Sequence, residues 1–133
     1  MRASVLTEDG VYLVDLDDGS VLGPAAGADF DAAPEPPSRP ALPRLVAVSG
    51  AGSTVAAVVD TRPPLVVSHD AGRTWRESGR GLPPGRAVAV SAENPDHMLY
   101  AAADRLYVSE DGGRFWRSLD AELPEIQAVA WAD

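Results

Sequence analysis

The chain has 133 residues, is 45% hydrophobic and carries 20 Asp and Glu against 11 basic side chains, for a formal net charge of −9. Nucleic-acid binders present a basic stripe, whereas here the 11 cationic residues are scattered singly, so nucleic acid is excluded as a partner. The chain has no cysteine, which excludes disulfides and thiolate-held metal, and no apolar run approaches the ~20 residues of a membrane span. Met1-Arg2-Ala3-Ser4-Val5-Leu6 runs straight into Thr7-Glu8-Asp9 with no apolar signal core, so a cytoplasmic location is expected. One domain fits the length, and 12 Gly with 12 Pro fit a turn-rich β fold.

In chain order, the first strands fall near residues 4–8 and 11–15, followed by the turn Asp15-Leu16-Asp17-Asp18-Gly19 and a strand ending near 22. That turn lacks the closing Glu of a ~12-residue calcium loop, since Ala26 stands at that place, and no metal is expected. Residues 23–41 read as a loop: Pro34-Glu35-Pro36-Pro37-Ser38-Arg39-Pro40 is too proline-dense for a ladder, and Gly27–Ser38 is expected to be the most mobile stretch. A second unit over 42–81 predicts strands near 44–49, 54–60, 64–69 and 74–79. A third, over 82–122, predicts strands near 86–92, 98–103, 105–110 and 114–119. Leu42-Pro43, Leu82-Pro83 and Leu123-Pro124 each precede a Val/Ala-rich segment. The last of these, Ile126–Trp131, is a spare strand with no unit behind it. The first unit has room for its second, third and fourth strands only.

The units share more than strand spacing. Ser68-His69-Asp70-Ala71-Gly72-Arg73-Thr74-Trp75 returns as Ser109-Glu110-Asp111-Gly112-Gly113-Arg114-Phe115-Trp116 at an interval of 41 residues. Each copy places a hydroxyl and a carboxylate where they accept backbone amides, a glycine where φ is positive, and a Trp at the start of the next strand. The pattern resembles the Asp-box of the BNR repeat, found in sialidase-like, sortilin-like and photosystem-assembly-factor-like propellers. The resemblance implies an all-β propeller of four-stranded blades about three to the chain, with the motif at the turn between the third and fourth strands on the rim. Ser68, Asp70, Gly72, Thr74, Trp75, Ser109, Asp111, Gly113, Phe115 and Trp116 are therefore expected to be structural. Asp15, Asp17 and Gly19 align as a degenerate third copy.

Catalysis finds little support in these residues. Sialidases of the family use three inner-strand arginines; Arg44 and Arg86 stand at repeat-equivalent places, but the third equivalent is Gln127, and no Tyr–Glu nucleophile pair can be assigned. His69 and His97 lie in turns and are expected to face solvent. Loops at the blade ends converge on the axis, so Arg44, Arg86, Gln127, Asp104 and Arg105, with Asp60, Glu93 and Asn94, are the candidate ligand-face residues. A protein-interaction or assembly scaffold without cofactor is the leading reading. A carbohydrate- or small-molecule-binding propeller is the alternative, and a sialidase-like glycoside hydrolase the third. Three blades do not close a ring that needs ~4–8, so a homodimer is expected, with Ile126–Trp131 of one protomer completing the first blade of its partner. The alternative is that the missing blades come from a different chain or from a longer propeller of which this is a fragment.

Overall fold

Short runs of Val, Ala and Leu, cut by Gly, Pro, Asn and Asp, leave no segment long enough for a helix to nucleate and many that suit a pleated ladder. The computed structural model describes residues 1–25, 29–36 and 39–132, and among these there are strands and no helix. In chain order they are β1 (Arg2–Thr7), β2 (Gly10–Asp15), β3 (Val21–Ala25), β4 (Leu45–Ala51), β5 (Thr54–Val59), β6 (Leu65–Ser68), β7 (Arg76–Ser78), β8 (Ala87–Val90), β9 (Met98–Ala101), β10 (Leu106–Ser109), β11 (Arg117–Ser118) and β12 (Ile126–Trp131). They form three four-stranded antiparallel sheets: β12-β1-β2-β3, β4-β5-β6-β7 and β8-β9-β10-β11.

Several expectations change. The spare strand needs no partner protomer in this structure, because β12 pairs with β1 of its own chain, Trp131 opposite Ala3 and Val129 opposite Val5. Strand β3 runs to Ala25, into what was expected to be loop; Pro24 is tolerated because β3 is the outermost strand and needs no donor on its free side. The fourth strands start later than expected, at Arg76 and Arg117, because the amides just before them are held inside the preceding turns. Of the stretch expected to be most mobile, Gly27, Ala28, Pro37 and Ser38 lie outside the described residues. Between them, Pro34 accepts both Gly50 N–H at 2.9 Å and Ser49 Oγ–H at 2.8 Å, which ties the segment to β4.

The third sheet is the middle of the molecule. Its Met98, Tyr100, Val88 and Val90 pack on Ala56, Val58, Leu65 and Val67 of the second sheet. Its opposite face, with Leu99, Ala101, Leu106 and Val108, packs on Ala3, Val5, Val14 and Val129 of the first. No strand of the first sheet touches one of the second among the described residues. The result is an arc of three sheets that does not close. Small side chains on β8 (Ala87, Ala89) let the inner strands approach, and both neighbours then cap its open edge. Ser49 Oγ accepts Val90 N–H at 3.0 Å, and Trp131 Nε1 donates to Ala89 O at 3.1 Å.

Tyr100 shows how tight the middle is. It is fully buried and donates its hydroxyl to Pro83 O at 2.6 Å; burial pushes the phenol well above its ordinary pKa, so it remains a donor. A methyl group at Gly85 would sit 2.5 Å from Tyr100 Oη and 2.6 Å from Cζ, against a ring that cannot swing away. Gly85→Ala is expected to lower unfolding free energy by about 1–3 kcal/mol, the usual range for overpacking. Urea denaturation reads this directly, and an unchanged midpoint would show that the Tyr100 ring is free to move.

Candidate functional site at the two ends of the sheets

The two Asp-box turns lie at one end. In the first, Asp70 Oδ1 accepts Thr74 N–H at 2.9 Å, and its other oxygen accepts the Thr74 hydroxyl at 2.6 Å. Ser68 Oγ donates to Asp70 Oδ1 at 2.7 Å and accepts Gly72 N–H at 2.8 Å. In the second, Asp111 Oδ1 accepts Phe115 N–H at 3.0 Å and Arg114 N–H at 3.1 Å, while Ser109 Oγ accepts Gly113 N–H at 2.9 Å. Gly72 and Gly113 take φ of 91° and 92°, which explains the glycine at that place. The geometry is that of a turn lock. Both carboxylates are held below the ordinary range, Asp70 by the Thr74 hydroxyl and amide first, Asp111 by the Phe115 amide first. A carboxylate held low is the opposite of a glycosidase general acid.

The two Trp residues differ. Trp116 packs against Tyr100 with ring centroids 6.0 Å apart and donates Nε1 to Gly113 O and Ser78 Oγ, so it is wedged between the third and second sheets. Trp75 is half-buried and joins neither apolar core, because its side of the second sheet is the open end of the arc. Phe115 is 79% exposed rather than packed. His69 is exposed, but His97 is half-buried and stacks on Trp131 at 5.8 Å, against the expectation that both face solvent.

The first-unit turn departs from the alignment. Across the third sheet Val88, Tyr100 and Tyr107 stand in one row and Val90, Met98 and Ser109 in the next; across the first, the rows are Val129, Val5, Tyr12 and Trp131, Ala3, Val14. Val14, not Asp15, therefore stands level with Ser109. A one-residue shift sends each side chain to the other face. Leu16 becomes a buried plug, and Asp15 Oδ1 caps its own tight turn through Asp17 N–H at 2.8 Å and Asp18 N–H at 3.2 Å, with Gly19 at φ 78° closing it. Asp15, Asp17 and Gly19 form a simple hairpin turn. Nearby, hydrogen bonding from Ser20 holds the Asp18 carboxyl low.

At the opposite end lie the starts of the inner strands. Arg86, Asp104 and Arg105 line one hollow of about 440 Å3 together with Pro83, Pro84 and Tyr107. Its cations are already paired: Arg86 with Glu125 at 2.8 Å and Arg105 with Glu122 at 3.2 Å, both on the surface. Arg44 takes φ of 58°, turns its Nη1 toward Asp60 O at 3.5 Å, and does not line that hollow. Gln127 is exposed and lines none of it. The three repeat-equivalent positions thus do not gather into one site. Glu93 and Asn94 sit in the turn ahead of β9 at the Asp-box end, where Asn94 Oδ1 accepts Asp96 N–H at 3.2 Å. Among the described residues no group of His, Asp and Glu is placed to hold a metal ion.

One grouping escaped the sequence. Between the outer edges of the second and third sheets runs a groove of about 630 Å3 lined by Arg76, Arg80, Arg114, Tyr107, Phe115 and Trp116, with Glu77 also on its wall. The repeats place an arginine on each side of each Trp motif, but of those four only Arg76 and Arg114 line the groove, and Arg80 comes from outside the motif, so the pattern alone does not indicate it.

Among solved structures, the GH74 enzyme of Niastella koreensis superposes with a TM-score of 0.51 at 20% identity, covering 92% of this chain. The fold is β-propeller-like. The match spans 18% of that enzyme's length, so the likeness concerns the arrangement of sheets alone. No family model matches the sequence, and no curated protein does.

The turn locks generate a stability prediction. Ser109→Ala removes the acceptor of a buried amide and is expected to lower unfolding free energy by about 1–3 kcal/mol. Because Asp70 and Asp111 have folded pKa values below the unfolded value of about 3.9, their stabilisation is complete above that pH and fades as pH falls through the folded values. Thermal midpoints measured as the pH is lowered should fall below about pH 4, and Asp111→Ala should flatten that acid limb while lowering the neutral midpoint. An acid limb identical in the variant would remove Asp111 from the lock.

Proposed function

We propose that the chain is a non-catalytic assembly and interaction scaffold whose working unit is a propeller ring made of two copies. The observation that carries this reading is the character of the two open sheet faces. On the third sheet, the Met98, Tyr100 and Tyr107 face meets the second sheet and the Leu99, Ala101 and Val108 face meets the first. By register, the outer face of the first sheet (Ser4, Leu6, Leu13) is of the second kind, and the outer face of the second sheet (Val55, Ala57, Val66), where Val55 and Ala57 are already buried and Pro36 stands beside Gly50, is of the first kind. The arc therefore ends in two faces of the kinds that pack against each other twice inside it. Leu22, 67% exposed and opposite Leu13, lies on one; Trp75 is assigned to the other by its repeat equivalence to Trp116, which packs on Tyr100. Two such arcs complete six blades, within the ~4–8 that close around an axis, through two equivalent junctions related by a two-fold.

The same arrangement argues against hydrolysis as the role. The carboxylates whose surroundings shift them, Asp18, Asp70 and Asp111, are all held low in turns, and Arg86 and Arg105 are occupied by Glu125 and Glu122. Sedimentation equilibrium at micromolar concentration should give twice the 13.9 kDa of one chain. Leu13→Glu and Trp75→Ala, one on each open face, should each shift the mass toward a single chain without loss of far-ultraviolet β signal. Trp75→Ala should also destabilise the separated chain less than Trp116→Ala, for which about 3 kcal/mol is expected. A cooperative, well-folded single chain at that concentration would overturn the ring.

A further inference from the structure

We propose that the groove between the outer strands of the second and third sheets binds an extended acidic peptide segment carrying an apolar side chain. This rests on the interaction-scaffold reading and names the partner's chemistry. Charge carries it first. The protein has a net charge of −9, yet Arg76, Arg80 and Arg114 converge on this one groove, and among the described residues none of the three forms an ion pair. Elsewhere Arg86 and Arg105 are each matched with a Glu, while Arg44, Arg62, Arg73 and Arg117 also form no ion pair among the described residues. It is therefore the gathering of three arginines, of which Arg76 and Arg114 also border a hollow with Asp96, Glu110 and Asp111, that sets the groove apart. Guanidinium forks unmatched within the chain suit carboxylates from outside it, bound through charge-assisted, often bidentate hydrogen bonds.

The second argument is the backbone. Strands β7 and β11 are the outermost of their sheets, and Arg76–Ser78 pairs only with β6, so one edge offers its amides and carbonyls to an added strand. An extended peptide lying there gains main-chain hydrogen bonds while alternate side chains point into the groove. The third is the apolar wall. Phe115 is 79% exposed beside half-buried Tyr107 and Trp116, a large side chain left in water with nothing of this chain to cover it. The Trp116 indole N–H is taken by Gly113 and Ser78, so that ring contributes apolar surface to the groove and no free donor. Glu77 on the wall disfavours a continuous run of acids, so the segment alternates acidic with apolar residues.

The test uses the full chain and a short fluorescein-labelled peptide alternating Glu and Val around one Phe, followed by fluorescence anisotropy, with its Gln-for-Glu counterpart and an oligogalacturonate as competitors. The acidic peptide should bind, the Gln peptide at least roughly tenfold more weakly, and added salt should weaken only the first. Arg76→Gln and Arg114→Gln should each cost roughly tenfold in affinity, whereas Arg44→Gln, far from the groove, should not. Phe115→Ser should weaken both peptides. Equal binding of the two peptides, no binding, or displacement by the acidic sugar at lower concentration than by unlabelled peptide would each overturn the proposal. All four variants lie on exposed positions, and circular dichroism checks that they fold. Because the groove lies within one chain, binding by a single-chain species sinks only the ring, and a ring that does not bind sinks only the groove.

Discussion

Everything in this molecule depends on the pairing of β12 with β1. Five Cα pairs, from Ala3–Trp131 to Thr7–Ile126, join segments that stand at opposite ends of the sequence, and no turn chemistry helps them meet. Closing so long a loop carries an entropic penalty that grows only slowly with length, so the ladder and the apolar contact beneath it suffice to hold it. Trp131 does most to make that contact specific. Its ring stacks on His97, and its N–H reaches the Ala89 carbonyl, so the same strand that completes the first sheet also clamps it to the third. This sets the spatial order second, third, first, with the open junction between first and second.

That order explains the long connection over residues 26–44. The other sheet-to-sheet connections, 79–86 and 119–125, join neighbours, whereas this one leaves the outer strand β3 and must reach the inner strand β4 on the far side of the opening. A connection of that length is uncommon in a compact domain, and among its described residues there is neither strand nor helix. Proline has no amide to offer a ladder, and Pro34 spends its carbonyl on Gly50 and Ser49 of β4. Ser49 in turn accepts Val90 N–H, so one side chain links the connection, the second sheet and the third.

What was legible in the sequence was what is local. The four-strand units and their turns could be read because Ser68, Asp70 and Gly72 lock a turn through atoms at most a few residues apart, and Ser109, Asp111 and Gly113 do it again. The first unit was misread by one residue because Leu22 stands where the pattern wants Trp and the acidic run Asp15-Asp17-Asp18 can be aligned in two ways; only the ladder from Trp131 through Ala3 to Val14 decides between them. The partner of β12 was not legible, since a strand's own residues do not say whether the edge they meet belongs to the same chain. Nor was the groove, because Arg76, Arg80 and Arg114 come from turns and edges that only the packing of two sheets brings together.

The two proposals draw on different parts of the same geometry, and this is what makes them compatible. Ring closure as proposed would use the flat faces of the end sheets, on the first of which Leu13 and Leu22 stand in one ladder row. The groove lies at the outer edge of the junction between the second and third sheets, which is already packed within one chain through Gly113 against Val67 and Ser78. Its walls are set by contacts that closure leaves untouched. Adding a second copy would therefore not remodel the groove but present it twice, on opposite sides of the ring. Two sites held rigidly apart on one scaffold favour a partner that carries two acidic segments or is itself dimeric, because once one site is filled the second is reached without a further loss of translational freedom.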